Sequence, residues 1–335
     1  MTIASPVALR PTVLILGANG RFGTAAARAF AGAGCRVLAQ VRRAANPELD
    51  GVAQSVAIAL DDTETLVRMA CGAEVVVHAV NPAYTRWDAE AMPALEAGLA
   101  VATRLGAHFM LPGNVYNYGE AMPSLLSEDT PQRPSTRKGE LRVRMERTIA
   151  DRTALGRFSA SVVRAGDFFG SGTGNWFDQA IVKSLRAGKV VYPGPLDLPH
   201  AWAYLPDLAG AFVRVAQQRD HAAFACWHFE GHTLTGRQLL DGIEAAATDL
   251  GITPAGGLRR GGMPWGLIGA IGLIVPTWLE LARMSYLWRV PHALDGRRLA
   301  ALSGEPLVAT PLAGALRESL IALDFAPGGQ TRLAH

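Results

Sequence analysis

The chain has 335 residues, 49% of them hydrophobic, enough for one large α/β domain and a smaller one. Its 32 basic and 29 acidic residues leave a net charge of +3, and no basic run is interleaved with aromatics, which argues against nucleic acid as a partner. The cysteines Cys35, Cys71 and Cys226 form no Cys-x-x-Cys pair, so neither a disulfide framework nor a metal site is expected and a reducing, cytoplasmic setting fits.

The opening Met-Thr-Ile-Ala-Ser-Pro lacks the basic segment of a signal peptide and runs into a first predicted strand, Thr12 to Leu16. Gly17-Ala18-Asn19-Gly20-Arg21-Phe22-Gly23 follows, and an Ala-rich stretch to about Ala33 predicts a helix. Strand, glycine turn and helix together make a phosphate-binding entry. Gly17 permits the sharp turn, Gly20 leaves room for a pyrophosphate against the backbone, and Gly23 lets the helix pack close to the strand. The free N–H groups of the helix start face the anion. A plain glycine turn in a flavodoxin-like sheet is the alternative.

Residues 35–41 predict the second strand, which ends in Arg42-Arg43. An NAD site commonly places an acid there for the ribose hydroxyls, whereas two guanidinium groups suit a 2′-phosphate. NADP(H) is therefore expected over NAD(H); a solvated arginine pair is the plain reading. A third strand over 55–60 ends at Asp61-Asp62, where Asp61 is the candidate for the adenine amino group and Asp62 equally an N-cap for the helix that follows, through Ala70. The fourth strand, 74–80, is continuously apolar, as a buried parallel strand should be. Its end, Ala79, Val80 and Asn81, is expected to lie along the dinucleotide, with His78 a packed strand residue.

A helix over 86–105, a strand over 106–111, the loop Pro112 to Gly119, a helix over 135–155 with Ser135 as its cap, and a strand over 159–164 complete the alternation. The pattern predicts an α/β fold, a doubly wound parallel (Rossmann) sheet. The dinucleotide domain is expected over 1–165, with a return segment at 204–225. Residues 166–335 are expected to form mainly a smaller mixed substrate or lid domain, with the substrate in the crevice between. Pro206-Asp207-Leu208-Ala209 opens a short helix, and a closing helix is expected near 310–323. Residues 263–279 carry no charge, yet are shorter than the roughly 20 apolar residues of a membrane span and contain Pro276. A buried helix or a lid over an apolar substrate is expected, with membrane contact the lesser alternative.

These motifs resemble those of the extended and atypical short-chain dehydrogenase/reductases, the NAD-dependent epimerase/dehydratase group. Gly17-x-x-Gly20-x-x-Gly23, Asp61, Tyr118-Gly119, Arg164 to Gly170 and Tyr204 to Ala209 carry the likeness over about residues 12–225. The resemblance implies a nicotinamide dinucleotide on the sheet and a variable C-terminal lid. It also implies a Ser or Thr where this chain has Asn114, and a Tyr-xxx-Lys pair where it has Lys138 and Arg142, eight and four residues before Glu146. All three usual catalytic groups are changed.

Lys138, Arg142 and Glu146 share one helix face. The isoflavone reductase-like enzymes are similar here, which implies Lys138 as acid or base. Burial, Arg142 one turn away and an oxidised nicotinamide would each disfavour its charge. Asn114 and Tyr116 could donate to a substrate oxygen. The plain readings are a solvated Lys138 among neighbouring arginines, an Arg142 that holds the nicotinamide ribose or a carboxylate, and a packed Tyr116. His200 and Trp202 read as pocket or packing residues. The leading expectation is an NADP(H)-dependent oxidoreductase acting on a carbonyl, hydroxyl or activated double bond of a fairly apolar small molecule, with a homodimer allowed. The alternatives are a non-catalytic NADP(H) sensor and a sugar-nucleotide epimerase or dehydratase.

Overall fold

The computed structural model describes residues 10–218, 222–272, 276–303 and 309–325. The first half alternates: β1 (Thr12–Leu16), α1 (Arg21–Gly32), β2 (Arg36–Val41), β3 (Gln54–Ala57), α2 (Thr63–Met69), β4 (Ala73–His78), α3 (Trp87–Leu105), β5 (His108–Gly113), the short β6 (Leu125–Leu126), α4 (Arg137–Thr153) and β7 (Ala160–Arg164). The second half is mixed: β8 (Asp167–Phe169), β9 (Lys189–Tyr192), β10 (Pro199–Tyr204), α5 (Leu205–Gln217), β11 (Phe224–His228), β12 (His232–Thr235), α6 (Gly236–Asp249), β13 (Arg259–Gly262), α7 (Trp265–Gly272), α8 (Pro276–Arg283), β14 (Ala293–Leu294), α9 (Arg297–Ala300) and α10 (Leu312–Ile321).

Seven strands form one parallel sheet in the order β11-β7-β5-β4-β1-β2-β3. Val13 to Leu16 and Val75 to His78 are buried, because helices cover both faces of the sheet. On one face α1 packs against α5, with Phe22 edge-on to Phe212 at 4.7 Å. On the other, Leu66 of α2 joins Leu95 and Leu99 of α3 and Leu141, Met145 and Ile149 of α4. The chain leaves β1 toward β2 and β3, then returns to β4 on the other side of β1. That reversal opens a crevice at the carboxyl ends of β1 and β4, where ligands of such sheets bind.

Beyond β7 a three-stranded sheet forms in the order β12-β10-β8. A Cβ on Gly166 would lie 2.1 Å from the Ala201 carbonyl, so only glycine lets β8 run this close to β10. The register then sets Asp167 opposite Trp202.

Several expectations shift. The third strand ends at Ala57, and α5 is a 13-residue helix, not a short one. Its Val- and Ala-rich face continues the packing on α1. The returning strand β11 runs to His228. Ser135 is not the cap of α4: Thr136 Oγ1 accepts the Gly139 N–H at 3.2 Å, while Ser135 Oγ accepts the Glu120 N–H at 3.0 Å. Of the 263–279 stretch, 273–275 lie outside the described residues, and the described part is not one buried helix. It contains α7 and the start of α8, with Leu267 and Trp278 exposed and only Ile268 and Gly272 of α7 buried. Among the described residues no helix is long and apolar enough to cross a membrane.

Candidate active site

The turn after β1 is built for close approach. Gly17 has φ of +75°, and a Cβ there would touch Val80 Cα at 3.0 Å, so the ends of β1 and β4 meet. Its N–H donates to Gln40 Oε1 at 2.9 Å, and Gln40 Nε2 donates to the Ile58 carbonyl at 2.6 Å. This polar residue inside the apolar strand β2 escaped the sequence reading. Helix α1 starts at Arg21, with Gly20 at its N-cap, no side-chain cap and no acid in its first turn. Its first N–H groups are thus left for an anion, and the turn fits a dinucleotide pyrophosphate.

The neighbouring candidates frame this turn. Asn19 Nδ2 donates to the Ala44 carbonyl and its Oδ1 accepts the Asn46 N–H, both at 2.8 Å. It ties the turn to the segment holding the exposed Arg42 and Arg43. Arg21 Nη2 donates to the Gly174 carbonyl at 3.1 Å, its Nη1 is buried without a partner, and burial lowers its pKa. The Phe22 ring points into the core, so only its backbone faces the crevice. Asp62 accepts the Thr65 N–H at 3.1 Å and caps α2, leaving Asp61 exposed. Ala79 is buried, Val80 half-buried and Asn81 exposed at the end of β4.

The catalytic candidates gather around the turn Tyr84–Arg86 and Trp87. Lys138 is not solvated: its side chain is 3% exposed. Its Nζ donates to the Tyr84 carbonyl at 2.9 Å, lies 4.1 Å from the Tyr84 ring centre, and faces Glu280 Oε2 of α8 at 3.4 Å. Arg142, one turn on, lies over the Trp87 ring at 4.7 Å and donates to the Pro112 carbonyl at 3.3 Å. Its Nε is buried without a partner, and burial lowers its pKa. Burial raises the Tyr116 phenol pKa, Asp167 adds to this, and Arg142 opposes it; the Tyr116 ring lies 6.3 Å from that of Trp87. Asn114 stands apart: its Oδ1 accepts the Tyr116 N–H at 3.1 Å and shapes its own turn.

Glu146 and Tyr118 serve a buried network. Arg164 donates to both Glu146 oxygens at 3.2 and 2.6 Å and to the Tyr118 hydroxyl at 2.5 Å. The Tyr118 hydroxyl then donates to His228 Nε2 at 2.8 Å, because His228 Nδ1 must donate to the Leu126 carbonyl at 3.0 Å. Burial holds His228 down at about 4, which matches this neutral tautomer.

Sequence reading missed Tyr84, Glu280 and Asp167. Asp167 lay inside the Arg164–Gly170 stretch already quoted, but only the β8–β10 pairing reveals its partner. His200 Nε2 meets Asp167 Oδ2 at 2.9 Å, and the His200 ring stacks on Trp288 at 4.4 Å and 3°.

The reversed parallel sheet, the uncapped glycine turn and the residues facing it define an extended short-chain dehydrogenase/reductase, an enzyme scaffold for a nicotinamide cofactor. The chain belongs to the NAD dependent epimerase/dehydratase family, whose model matches residues 13–224. Its fold is similar to that of MoeE5 in complex with UDP-glucuronic acid and NAD, at 18% identity over 93% of this chain and 98% of that one, with a TM-score of 0.69. It is also similar to UDP-glucose 4-epimerase from Thermotoga maritima, at 16% identity, the same coverage and a TM-score of 0.71. UDP-N-acetylglucosamine 4-epimerase from Methanobrevibacter ruminantium M1 matches at 14% identity over 93% and 98% of the chains, with a TM-score of 0.70. At these identities the likeness is one of fold. No curated protein sequence is a significant match.

Proposed function

We propose that this protein is an NADP(H)-dependent oxidoreductase that acts on a carbonyl, hydroxyl or activated double bond of an organic, fairly apolar molecule. One observation carries the reading: Lys138, Arg142 and Tyr116 converge, largely shielded from water, around Tyr84 and Trp87. Gly17, Gly20 and Gly23 with the start of α1 would hold the pyrophosphate, and Arg42 with Arg43 a 2′-phosphate. A bound nicotinamide supplies hydride acceptance or donation. Tyr116 Oη donates a hydrogen bond to the substrate oxygen. Lys138 Nζ delivers a proton to that oxygen as it becomes an alkoxide, and takes it back in the reverse direction. Arg142 stabilises the developing negative charge. Tyr84 and Trp87 exclude water and orient the ammonium through their ring faces.

Family membership supports a second reading, a sugar-nucleotide epimerase or dehydratase, while Lys138 in place of the usual tyrosine weighs against it. The test is a panel of carbonyl and alkene substrates with NADPH, run beside UDP-glucose. The oxidoreductase reading expects net NADPH consumption that falls about 100-fold or more in Lys138→Ala. Conversion of UDP-glucose without net change in NADPH would favour the epimerase. Tight NADPH binding with no turnover of any kind would leave a cofactor sensor.

A further inference from the structure

The Asp167 carboxylate occupies an unusual place. It is held from behind by His200 Nε2 at 2.9 Å, and the His200 side chain is only 4% exposed against 15% for Asp167. His200 in turn is fixed by Trp288, stacked at 4.4 Å, by His292 at 4.6 Å and by Trp202 at 5.1 Å. Among the described residues Asp167 has no Lys or Arg partner. Lys138 is taken by Glu280 and the Tyr84 carbonyl, and Arg142 by Trp87 and the Pro112 carbonyl.

The same cluster holds polar atoms that lack partners. Trp202 Nε1, Trp288 Nε1 and His292 Nε2 are buried without a hydrogen bond, on residues at most 3% exposed. His292 Nδ1 must donate to the Val290 carbonyl at 2.9 Å, so the neutral ring leaves Nε2 as an acceptor. Unpaired buried polar groups of this kind call for a partner. The field here is negative: burial is the main cause that raises the phenol pKa of Tyr84, Tyr116, Tyr192 and Tyr286, and the Asp167 charge adds to it at each, with Glu280 adding at Tyr84.

We propose that Asp167, oriented by His200, selects the substrate by accepting a hydrogen bond from its hydroxyl or ammonium group, and that the site rejects phosphate- and carboxylate-bearing molecules. The inference rests on the proposed enzymatic use of this site and narrows its substrate class to neutral or cationic hydrogen-bond donors. An anion placed against Asp167 would meet like charge, with Lys138 already paired to Glu280, at a cost of several-fold to many-fold in affinity. A hydroxyl or ammonium can instead donate to Asp167. His200 is a positioning residue, since it reaches the ligand only through the carboxylate.

The test is isothermal titration of the full chain with tyramine, tyrosol and 4-hydroxyphenylacetate, which end one phenol frame in an ammonium, a hydroxyl and a carboxylate, alongside UDP. Tyramine and tyrosol are expected to bind about tenfold or more tightly than the acid and UDP. Asp167→Asn, whose amide oxygen still accepts from His200, should weaken tyramine about tenfold and strengthen the acid, closing the gap. Stronger binding of the acid or UDP, no binding of tyramine and tyrosol at millimolar concentration, or an unchanged gap in a folded Asp167→Asn would each overturn the proposal. The wild-type ranking needs no variant and decides the matter even where Asp167→Asn does not fold. NADPH titration of the same sample reads the cofactor assignment separately: loss of NADPH binding with the ranking intact refutes the enzyme reading and leaves the selective site.

Discussion

The Lys138 ammonium of α4 and the Glu280 carboxylate of α8 face each other at 3.4 Å, so the helix that begins within the apolar 263–279 stretch supplies the counter-charge to a buried residue of the candidate site. Glu280 is itself steadied by Arg283 at 2.8 Å. Removing Glu280 leaves the ammonium with only the Tyr84 carbonyl and two ring faces. Glu280→Ala is therefore expected to lower stability by about 1–3 kcal/mol, below the full penalty for a buried pair because Glu280 is 22% exposed. Adding Lys138→Met to it should recover most of that loss while abolishing turnover. Urea unfolding of the two variants checks this, and a Glu280→Ala protein as stable as wild type would show the pair to be idle.

How far the sequence could reach depended on the range of the interactions involved. The glycine turn and the buried runs of β1 and β4 are local patterns, so the parallel sheet and the cofactor end were readable from spacing alone. That Lys138, Arg142 and Glu146 share one helix face was also readable, being a matter of helical period; that this face turns inward was not. Which partner each of them takes was not. Lys138 meets Glu280 and Asp167 meets His200 through contacts distant in sequence, and one of them depends on Gly166 admitting β8 beside β10. Ser135 and Thr136 are both plausible caps by composition; the competing bond from Glu120 to Ser135 decides between them.

Arg42 and Arg43 offer a cleaner test of cofactor choice, because both are exposed at the end of β2 and no core packing depends on them. Arg42→Ala and Arg43→Ala are each expected to weaken NADPH by roughly tenfold, within the range of charge-assisted phosphate contacts. NADH binding should barely change, since it lacks the 2′-phosphate. The NADPH constant of wild type should also fall with rising salt more steeply than that of NADH. Fluorescence titration of both cofactors measures this, and equal losses for the two would remove the 2′-phosphate from the assignment.

The buried histidines set an acid limit. Burial, with the nearby Arg164 charge, holds His228 at about 4, and burial with His200 holds His292 at about 4. Both lie below the unfolded value of about 6.5, so the unfolded chain takes up protons first as pH falls. Stability is thus complete above about pH 6.5, declines between there and pH 4, and stops changing on their account below that. His228 has no position for a second proton, because Nδ1 already serves Leu126 and Nε2 accepts from Tyr118. Melting midpoints from pH 8 to pH 4 should show this decline, and His228→Gln should flatten it. A wild-type midpoint that is level from pH 7 to pH 5 would contradict the buried neutral assignment.

The glycine turn can be divided into a part that holds the fold and a part that receives the cofactor. A Cβ on Gly23 would lie 2.5 Å from the Gly17 carbonyl and 2.8 Å from Ala18 Cα, both backbone atoms that cannot move aside without shifting the turn. Gly23→Ala should therefore cost about 1–3 kcal/mol of stability and disturb cofactor binding as a consequence. Gly20 differs: its φ of −71° suits any residue, and the closest protein atom to an added Cβ is the Gly17 carbonyl at 3.3 Å. Gly20→Ala should lose only about 1 kcal/mol or less, the penalty of a poorer helix cap, because no protein atom stands closer than 3.3 Å to the added methyl, and the space it fills is the one proposed for the pyrophosphate. Its NADPH affinity should nevertheless fall at least tenfold, more than the stability loss alone accounts for. Thermal melts and NADPH titrations on the two variants separate the effects: Gly20→Ala binding NADPH as wild type does would mean that the pyrophosphate does not lie against this backbone.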